Sequence, residues 1–536
     1  MEDQAKYGGL HVRITRSGVG STPAWTLNWA RFLRQSLAMS AKNLRILFVT
    51  SECTPWSKTG GLADVSASLP AALRALGADV RILMPAYSGV PTQAAESVGH
   101  WPATAHMPAA RLLAARLPNG TPALLVDCPM LYERRGGPYQ SDANEDWADN
   151  AVRFAQLCRV AADIGRGGWT SWQPHVVHCN DWQTGPAVAM LQFASQERPA
   201  TVMTVHNLAF QGLYPPEVIG EAELPTQSYR MEGAEFHGRY SFLKAGLAYA
   251  DAITTVSPTY AREIQTEAQG MGLHGLLAYR REVLEGILNG IDTAEWDPSA
   301  DPHITRRYDS ASLEGKRANK RALQVRLGLP EEDCPLFGLI SRLTGQKGVD
   351  LVAAIAPALA SLPAQLVVLG RGDPEHEEAF KRLAREYPFA ISANIGFDEA
   401  LAHQVEAGAD VFLMPSRFEP CGMNQMYSQR YGTVPIVRAT GGLADSVTDC
   451  GGATGDATGF VFDDATEAAL MEAVRRAVEV FADPARWRAL QQAGMGRDFS
   501  WGASASRYLD IYRRLAAERK PRRKAPAQAS KDRSLT

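Results

Sequence analysis

Short apolar runs alternate with amphipathic segments along most of the chain. Runs of about four to eight apolar residues are typical of buried strands, and apolar positions three or four residues apart are typical of helices. In the first half, the pattern predicts strands at 44–50, 79–84, 123–127, 174–178, 200–205 and 252–256. It predicts helices between them, notably at 62–76, 146–164 and 183–195.

A second series of the same kind begins after residue 335. Its predicted strands are 336–340, 365–369, 391–395, 410–414 and 434–438, and its predicted helices are 349–359, 375–386, 398–407, 422–431 and 442–448. Helical patterns alone follow at 467–482, at 484–494 and from Trp501 to about 517. Strands that alternate with helices predict parallel, doubly wound sheets, so the predicted fold class is α/β.

Three segments interrupt this alternation. Segment 86–143 is richer in glycine, proline and polar residues, which predicts an insertion or an excursion of β structure. Segment 209–240 contains Pro215-Pro216 and several aromatic residues, and we interpret it as a long functional loop. Around 287–335 a turn signal, Asn289-Gly290-Ile291-Asp292, precedes a polar and charged stretch at 301–324, so we place a domain junction there.

Composition narrows the class of protein. With 536 residues the chain is long enough for two large domains, and 45% hydrophobic and 21% charged residues are typical of a globular enzyme. The net charge of −3 gives no overall attraction to nucleic acid or membranes, and no apolar run approaches the length of a membrane helix. Seven scattered cysteines without a Cys-x-x-Cys pair indicate neither a zinc knuckle nor a disulfide framework, which fits a reducing cytoplasm.

The two ends of the chain differ from the rest. Residues 1–38 have weak periodicity and lead through Met39 into the first strand, so we expect a disordered extension, with an arginine-rich transit segment as the alternative. The basic run at 519–524 is interrupted by a proline and predicts a solvated tail, with a specific anionic partner as the alternative.

One hexapeptide, Thr-Gly-Gly-Leu-Ala-Asp, occurs both at 59–64 and at 440–445, each time after a predicted strand and before a predicted helix. Lys58 precedes the first copy. Backbone N–H groups at a helix N-terminus and a lysine attract anions, although a plain structural turn is the alternative. Neither the Walker A nor the dinucleotide-binding glycine spacing is present. Because open α/β sheets bind ligands at the carboxyl ends of strands, the repeat predicts two similar lobes that face one ligand.

Other chemically capable residues also follow predicted strands. Arg342 and Lys347 lie on a strand-to-helix loop, where two cations suit a diphosphate, unless the loop is simply solvated. Glu419 ends another strand, where its carboxylate is expected either to bind sugar hydroxyls or to cap the next helix. His206 and Asp181 follow strands of the first half, and this placement favours a role in a site; His178 is more readily a structural residue that ends its strand.

The sequence contains no pattern typical of a metal cluster. It also contains no Asp-x-Asp, which disfavours metal-dependent glycosyl transfer of the single-domain type. We therefore predict neither a metal nor another cofactor.

Four motifs in order give the chain a family resemblance: Lys-Thr-Gly-Gly-Leu-Ala-Asp at 58–64, Ser-Arg-Leu-Thr-Gly-Gln-Lys-Gly at 341–348, Pro-Ser-Arg-Phe-Glu-Pro-Cys-Gly at 415–422 and Ala-Thr-Gly-Gly-Leu-Ala-Asp at 439–445. Over about residues 44–515 the chain resembles bacterial glycogen synthases and plant starch synthases. The resemblance implies a GT-B fold, with two Rossmann-like domains and the active site in the cleft between them. It also implies metal-independent transfer of glucose from ADP-glucose to the non-reducing end of an α-1,4-glucan, with retention at the anomeric carbon.

The resemblance also implies domains and site residues. The expected divisions are an extension at 1–40, an acceptor-side domain at 41–290, a nucleotide-sugar domain at 291–500, a helix at 501–518 that crosses back to the first domain, and a tail at 519–536. The expected catalytic residues are His206, Arg342, Lys347, Glu419 and Asp181. The expected substrate-binding residues are Lys58, Gly60, Gly61, Asp64, Asn289, Phe397, Cys421, Gly422, Asn424, Thr440, Gly441 and Gly442.

Some positions depart from the family pattern. Arg371 stands where a small residue is common, Gln183 replaces a histidine, and Phe397 replaces a tyrosine but can still stack on adenine. Another transferase of the same fold, with UDP-glucose or a different acceptor, is the alternative function, since no residue reads the base directly. A glucan phosphorylase would need a pyridoxal-phosphate lysine motif, and a non-enzymatic glucan-binding scaffold would predict lost site residues. We expect a cytoplasmic protein, or a plastid protein if residues 1–40 are a transit segment, with no nucleic-acid or membrane partner.

Overall fold

Two largely parallel sheets form the framework of the computed structural model, as the alternating pattern predicts. The structure describes residues 44–93, 95–143, 145–168, 172–194, 197–451 and 456–518. The predictions for the 1–40 extension and the 519–536 tail lie outside these residues. We call residues 44–286 the first lobe and residues 314–495 the second lobe.

The strands alternate with helices in both lobes. The strands are β1 (Arg45–Val49), β2 (Asp79–Pro85), β3 (Glu96–Trp101), β4 (Ala110–Arg116), β5 (Pro122–Asp127), β6 (Val176–Asn180), β7 (Ala200–Val205), β8 (Leu213–Tyr214), β9 (Glu235–Phe236), β10 (Arg239–Ser241), β11 (Ala252–Thr255), β12 (Leu284–Gly286), β13 (Leu336–Leu343), β14 (Gln365–Gly372), β15 (Ile391–Ile395), β16 (Val411–Met414), β17 (Val434–Arg438) and β18 (Phe460–Phe462).

The α-helices are α1 (Gly61–Ala75), α2 (Pro129–Tyr132), α3 (Asn150–Gly165), α4 (Gly185–Gln192), α5 (Val218–Glu221), α6 (Phe242–Tyr249), α7 (Pro258–Glu263), α8 (His274–Tyr279), α9 (Glu314–Arg326), α10 (Val349–Ala360), α11 (Pro374–Glu386), α12 (Glu399–Gly408), α13 (Asn424–Arg430), α14 (Gly441–Ser446), α15 (Glu467–Phe481), α16 (Pro484–Met495) and α17 (Trp501–Glu518).

The sheet of the first lobe has the order β12-β11-β7-β6-β1-β2-β5-β4-β3. Its strands from β12 to β5 run parallel, and β4 and β3 extend the sheet as antiparallel strands. The antiparallel extension is the β excursion predicted within 86–143. Strand β1 lies in the middle, and its residues 46–49 are fully buried, as expected for a strand with both faces covered.

The sheet of the second lobe is entirely parallel, with the order β15-β14-β13-β16-β17-β18. Because β13 and β16 are neighbours, the loops after these two strands, at residues 344–348 and 415–423, leave the same edge of the sheet. The predicted cations Arg342 and Lys347 and the carboxylate of Glu419 lie at this edge.

Two of the interrupting segments contain regular elements, and the interpretation of 209–240 as a long loop was wrong. The polar stretch at 301–324 contains most of helix α9, which lacks an apolar stripe because it buries polar groups instead: Lys316 donates to the carbonyl of Ala407 at 3.1 Å, and Lys320 pairs with Asp410 at 2.7 Å. Segment 209–240 is not a plain loop, since it holds the strands of a small antiparallel sheet, β8-β10-β9.

The last helix, α17, belongs to the second half of the chain but packs on the first lobe. Tyr512 and Tyr508 are buried, and the Tyr512 hydroxyl lies 2.7 Å from Nδ1 of His178 on β6. The other ring nitrogen of His178 lies 2.6 Å from Thr204 Oγ1, and burial lowers the pKa of His178 to about 3. His178 is therefore a neutral structural residue. None of the helices that the structure describes has the length and apolarity to cross a lipid bilayer.

An aromatic stack fixes the segment between the lobes to the second lobe. Trp296 lies between His403 and Tyr427, with ring centroids 4.0 Å away on each side. His403 also lies 2.8 Å from Asp301, through Nδ1. Burial by itself lowers the pKa of His403, but the interactions with Asp301 and Glu399 outweigh it and raise the pKa to about 9. His403 is therefore a cation at neutral pH, stacked on Trp296.

The ion pair between His403 and Asp301 makes the free energy of unfolding decrease at alkaline pH. The folded pKa of His403 lies above its ordinary value of 6.5, so the stabilisation is complete below pH 6.5 and is lost as the pH rises through about 9. We expect the urea midpoint of the wild type to fall between pH 7 and pH 10 by more than that of His403→Phe, by the equivalent of about 1–3 kcal/mol. Equal decreases in the two proteins would contradict the charge assignment.

Candidate active site

The first Thr-Gly-Gly turn is held by a carboxylate of its own lobe. The backbone N–H groups of Thr59 and Gly60 both donate to Oε2 of Glu52, which follows strand β1. Burial raises the pKa of Glu52, while hydrogen bonds from Tyr139 and from the turn oppose that shift. Sequence reasoning missed Glu52, although its place directly after a buried strand was a usable signal. The N–H groups of residues 59 and 60 are therefore already bonded within the first lobe.

Lys58 is paired within the same turn. Its Nζ lies 2.9 Å from Asp64 Oδ1, which also accepts a hydrogen bond from Thr54 Oγ1 at 2.9 Å. Half of the Lys58 side chain is exposed, so the pair is weak and the ammonium can exchange partners. Asp64 therefore orients Lys58, and Gly61, which begins α1, keeps the turn close to the second lobe.

Neighbouring groups set the tautomer of His206. The amide nitrogen of Asn180 donates to the carbonyl of Val49 at 3.0 Å, so its oxygen faces His206 Nε2, also at 3.0 Å. An amide oxygen only accepts, so Nε2 carries the proton and Nδ1 is an acceptor. Burial lowers the pKa of His206 to about 3, which keeps the ring neutral. His206 is thus suited to accept a hydrogen bond from a hydroxyl group.

Asp181 holds the loop that carries His206. Its Oδ1 accepts hydrogen bonds from the backbone N–H of His206 at 2.7 Å and of Asn207 at 3.4 Å. Its φ of +56° is unusual for a residue other than glycine, and such strain is typical of functional sites. Burial raises the pKa of Asp181 to about 7. The structure therefore places Asp181 behind His206 as an organising residue.

Lys347 and Glu419 form a close ion pair in the second lobe. Lys347 Nζ lies 2.5 Å from Glu419 Oε2, and Ser416 Oγ donates to the same oxygen at 3.0 Å. Glu419 is buried, and its Oε1 makes no hydrogen bond to any residue that the structure describes. The alternative role of Glu419 as a helix cap does not hold, because α13 begins five residues later, at Asn424.

Arg342 differs from the other cations of the site. It is exposed at the end of β13, and its guanidinium has no ion pair or hydrogen bond with the described part of the chain. Its register partner on β14 is Arg371, also exposed. Phe397, which follows the neighbouring strand β15, is 84% exposed. Two cations and an accessible aromatic ring thus line one end of the second sheet.

The residues after Glu419 bring the two lobes together. Gly422 has a φ of +68°, and Asn424 ties α13 to β13 by donating to the carbonyl of Ile340 at 2.9 Å. Cys421 is buried, and burial raises the pKa of its thiol to about 12, so the thiol stays neutral. Asn289, from the segment between the lobes, is buried beside Cys421, and its side-chain oxygen has no partner among the described residues.

The second Thr-Gly-Gly turn is also held by a carboxylate, but this one comes from the other lobe. Thr440 Oγ1 and the backbone N–H of Gly441 each donate to Glu263 Oε1 at 3.0 Å. The N–H of Gly442 donates to the carbonyl of Glu419 at 3.2 Å. The N–H groups expected to face a phosphate are therefore bonded to protein in this structure.

The predicted residues of both lobes meet at one cleft. A Cβ atom at Gly61 would lie 3.4 Å from the side chain of Met423 in the second lobe. Burial raises the pKa of Tyr260, the hydrogen bond from Leu208 opposes that shift, and the nearby charges of Asp181, Glu263 and Glu419 add to it. Tyr260 therefore has charged groups of both lobes in its surroundings.

Another cavity lies away from this cleft. It measures about 1170 Å³ and is lined by Lys320, Asp410 and Trp487, among others, at the amino ends of the second sheet. Its lysine is paired with Asp410 at 2.7 Å, and it contains none of the predicted site residues. Open α/β sheets bind ligands at the opposite, carboxyl edge, so the cleft between the lobes is the stronger candidate.

One group in the described residues has the composition of a metal site. Ligand atoms of Glu295, Glu399 and His403 lie within 4.8 Å of one another. His403 is protonated at neutral pH, because its pKa is raised to about 9, and a metal would have to displace that proton. The group is better explained as an ion-pair cluster.

Comparison with known proteins agrees with this geometry. A model of the starch synthase catalytic domain matches residues 45–279, and a model of group 1 glycosyl transferases matches residues 322–489. A glycogen synthase from Aromatoleum aromaticum is 55% identical over 88% of this chain and 97% of the relative. One from Dechloromonas aromatica is 53% identical over 89% of this chain and 99% of the relative.

Solved structures show the same architecture. The catalytic domain of starch synthase IV from Arabidopsis thaliana, bound to ADP and acarbose, has a TM-score of 0.80 and 32% identity, covering 88% of this chain and 99% of that one. Sucrose-phosphate synthase from Thermosynechococcus elongatus has a TM-score of 0.55 at 20% identity, covering 89% and 100%, and shows the fold alone. The predicted GT-B fold is confirmed. With half of its residues shared with curated relatives over nearly their full length, this chain belongs to the glycogen synthase and starch synthase family of glycosyltransferases.

Proposed function

We propose that the protein transfers glucose from ADP-glucose to the non-reducing end of an α-1,4-glucan, with retention at the anomeric carbon and release of ADP. The observation that carries this proposal is the Lys347–Glu419 pair, at 2.5 Å, beside the unpaired Arg342 at the carboxyl edge of the second sheet. The proposal draws further support from the glycogen synthases to which the chain is similar and from the starch synthase structure bound to ADP and acarbose.

The cations suit the departure of a diphosphate. The ammonium of Lys347 has three N–H donors. Glu419 accepts a hydrogen bond from one of them, so two remain for phosphate oxygens. Arg342 adds a planar guanidinium that is free to bind a phosphate with two hydrogen bonds. As negative charge develops on the leaving ADP, these fixed positive charges stabilise the transition state more than the ground state.

Acceptor groups are placed for the transferred glucose. Glu419 keeps Oε1 free, because Lys347 and Ser416 both bond to Oε2. His206 offers its Nδ1 from the first lobe, since its Nε2 donates to Asn180. Two acceptors on opposite sides of a cleft suit the hydroxyl groups of one hexose unit.

Retention requires the acceptor hydroxyl to attack from the side that ADP leaves. Glycosidases that retain configuration use two carboxylates that flank the bond. The first-lobe carboxylates near Glu419 have other partners: Asp181 holds the His206 loop and Glu263 holds the 440–441 turn. We infer that the leaving phosphate itself accepts the proton of the incoming hydroxyl. A glucosyl adduct trapped on a protein side chain would exclude this front-face route.

The expectations about a metal and about the location in the cell rest on the same resemblance to glycogen synthases. The cations Arg342 and Lys347 supply the charge that a divalent metal would otherwise provide, so we propose that no metal takes part. The bacterial glycogen synthases similar to this chain support a cytoplasmic location.

The donor is tested by competition. We expect purified protein with radiolabelled ADP-glucose or UDP-glucose to incorporate glucose into glycogen at least tenfold faster from the adenine donor. Comparable rates, or a preference for UDP-glucose, would replace the proposed donor with the alternative one. Loss of all label from the glucan with either donor would reject the function itself.

The charge pair is tested by Lys347→Ala and Glu419→Gln. Each removes a group that acts on the developing charge or on the glucose, so we expect kcat to fall by about 10²-fold or more. The control is Lys381→Ala, which removes a half-exposed lysine of the same lobe whose nearest carboxylate, Glu377, is 3.9 Å away. Thermal unfolding of each variant separates lost activity from lost structure. Near wild-type kcat in folded Lys347→Ala and Glu419→Gln would show that the site assignment is wrong.

Metal independence is tested by chelation. After dialysis against EDTA, we expect kcat with ADP-glucose to stay within about twofold of the untreated enzyme, because the fixed cations supply the charge. Activity that is lost on dialysis and restored by Mg²⁺ or Mn²⁺ would overturn this expectation.

A further inference from the structure

The short helix α7 is fixed firmly in the first lobe. It follows strand β11 after two residues, and Ser257 Oγ caps it by accepting a hydrogen bond from the N–H of Tyr260 at 3.0 Å. Gly286, at the end of the neighbouring strand β12, lies directly against it: a Cβ atom there would be 2.5 Å from the Cα of Pro258. Its six residues therefore move with the first sheet.

One side chain of this helix supports the loop of His206. The hydroxyl of Tyr260 accepts a hydrogen bond from the backbone N–H of Leu208 at 3.0 Å. Tyr260 and Leu208 are both buried, so this bond is shielded from water. Leu208 lies two residues after His206, and α7 thus fixes the loop that carries the first-lobe part of the site.

Two other side chains of the same helix hold the second lobe. Thr259 donates to the carboxylate of Asp445 through its backbone N–H at 2.8 Å and through Oγ1 at 2.6 Å. Glu263 Oε1 accepts from Thr440 Oγ1 and from the N–H of Gly441, both at 3.0 Å. Each of these hydrogen bonds has a carboxylate as acceptor, and such bonds are stronger than neutral ones.

The turn held by Glu263 lies directly against the backbone of Glu419. Gly441 has a φ of +45°, and a Cβ atom at this position would be 1.9 Å from the carbonyl oxygen of Glu419. The N–H of Gly442 donates to that same oxygen at 3.2 Å. The position of the turn therefore determines the position of the Glu419 backbone.

The two copies of the Thr-Gly-Gly-Leu-Ala-Asp repeat differ in which lobe supplies the carboxylate that binds the turn. Glu52 binds the first turn from within its own lobe, whereas Glu263 binds the second turn from the opposite lobe. The second Oε atom of Glu263 is buried and has no partner among the described residues. A carboxylate with an unused buried oxygen carries a desolvation cost, which is offset only if its bonds to the turn form.

We propose that Glu263 and Thr259 are positioning residues for glucosyl transfer. Through α7 they set the distance between the His206 loop and Glu419, which lie on opposite lobes and touch the same glucose unit. This inference rests on the proposed function. It predicts that weakening the contact displaces the two halves of the site relative to each other while the groups that bind the nucleotide stay intact.

The test compares Glu263→Gln, Thr259→Val and Thr259→Ser. Because small displacements of reacting groups cost rate, we expect kcat to fall about tenfold to hundredfold in Glu263→Gln and Thr259→Val. We expect the KM for ADP-glucose and the Kd for ADP to stay within about threefold, since Arg342, Lys347 and Phe397 are unchanged. Thr259→Ser keeps the hydroxyl donor and should retain most of the wild-type kcat.

Glu267→Gln serves as the matched control, because Glu267 is an exposed glutamate just beyond α7 and should leave kcat unchanged. Wild-type kcat in folded Glu263→Gln and Thr259→Val would overturn the proposal. So would an increase of the Kd for ADP as large as the fall in kcat, because that result would place these residues in nucleotide binding instead.

A second measurement does not depend on the substrate. In hydrogen-exchange mass spectrometry, peptides that cover 440–445 should exchange faster in Glu263→Gln than in the wild type, whereas peptides that cover 59–64 should not change. Unchanged exchange at 440–445 would contradict the contact even in an active enzyme. If the wild type transfers no glucose from either nucleotide sugar but this exchange difference is present, the proposed function fails and the structural coupling stands.

Discussion

The hydrogen bond from a turn N–H to a carboxylate is the interaction on which this site depends. It occurs at both copies of the repeated hexapeptide, from Thr59 and Gly60 to Glu52 and from Gly441 to Glu263. A glycine turn before a helix leaves its first N–H groups without partners inside the helix, and a carboxylate satisfies them and complements the helix dipole. The same bond holds one turn rigidly within its lobe and fastens the other turn across the cleft.

Local pairing of charges reduces the repulsion among the cations of the cleft. Lys58 is held by Asp64 and Lys347 by Glu419, each at less than 3 Å, whereas Arg342 stays exposed. The half-exposed Lys58 pair is easily exchanged, and the more buried Lys347 pair keeps two ammonium donors free. In the described part of the chain, an arriving diphosphate thus meets the exposed Arg342 and two paired lysines that need only small rearrangements.

The periodicity of the sequence was sufficient to predict the central parallel strands of both sheets, because buried parallel strands such as β1 and β14 are nearly continuous apolar runs. It missed the edge strands β3, β4, β12 and β18. Helix α9 could not be found in this way, since it buries Lys316 and Lys320 rather than an apolar stripe. Site residues at strand ends were predictable because topology brings those ends together. Glu263 and Ser416 were not, because their roles depend on which turn or side chain packs against them, and no local pattern records such tertiary contacts; Glu52 was missed although it follows a buried strand.

The chain passes between the lobes twice, at residues 288–291 and at residues 499–504, and these two segments lie side by side. This arrangement restricts how the cleft can open. The N–H of Ile291 donates to the carbonyl of Phe499 at 2.8 Å, and Ser504 Oγ donates to the carbonyl of Leu288 at 2.5 Å. Gly290 is required here, because a Cβ atom would lie 2.7 Å from the backbone of Trp501.

A rotation of one lobe against the other must pivot where both of these segments pass between the lobes. The α7 contact with residues 440–445 is a second point of attachment, so any opening that keeps it intact is confined to rotation about the line through these two points. Any closure of the cleft that keeps the α7 contact intact is in that case a hinge motion about this axis, and the distance between the His206 loop and the Glu419 backbone stays set by α7.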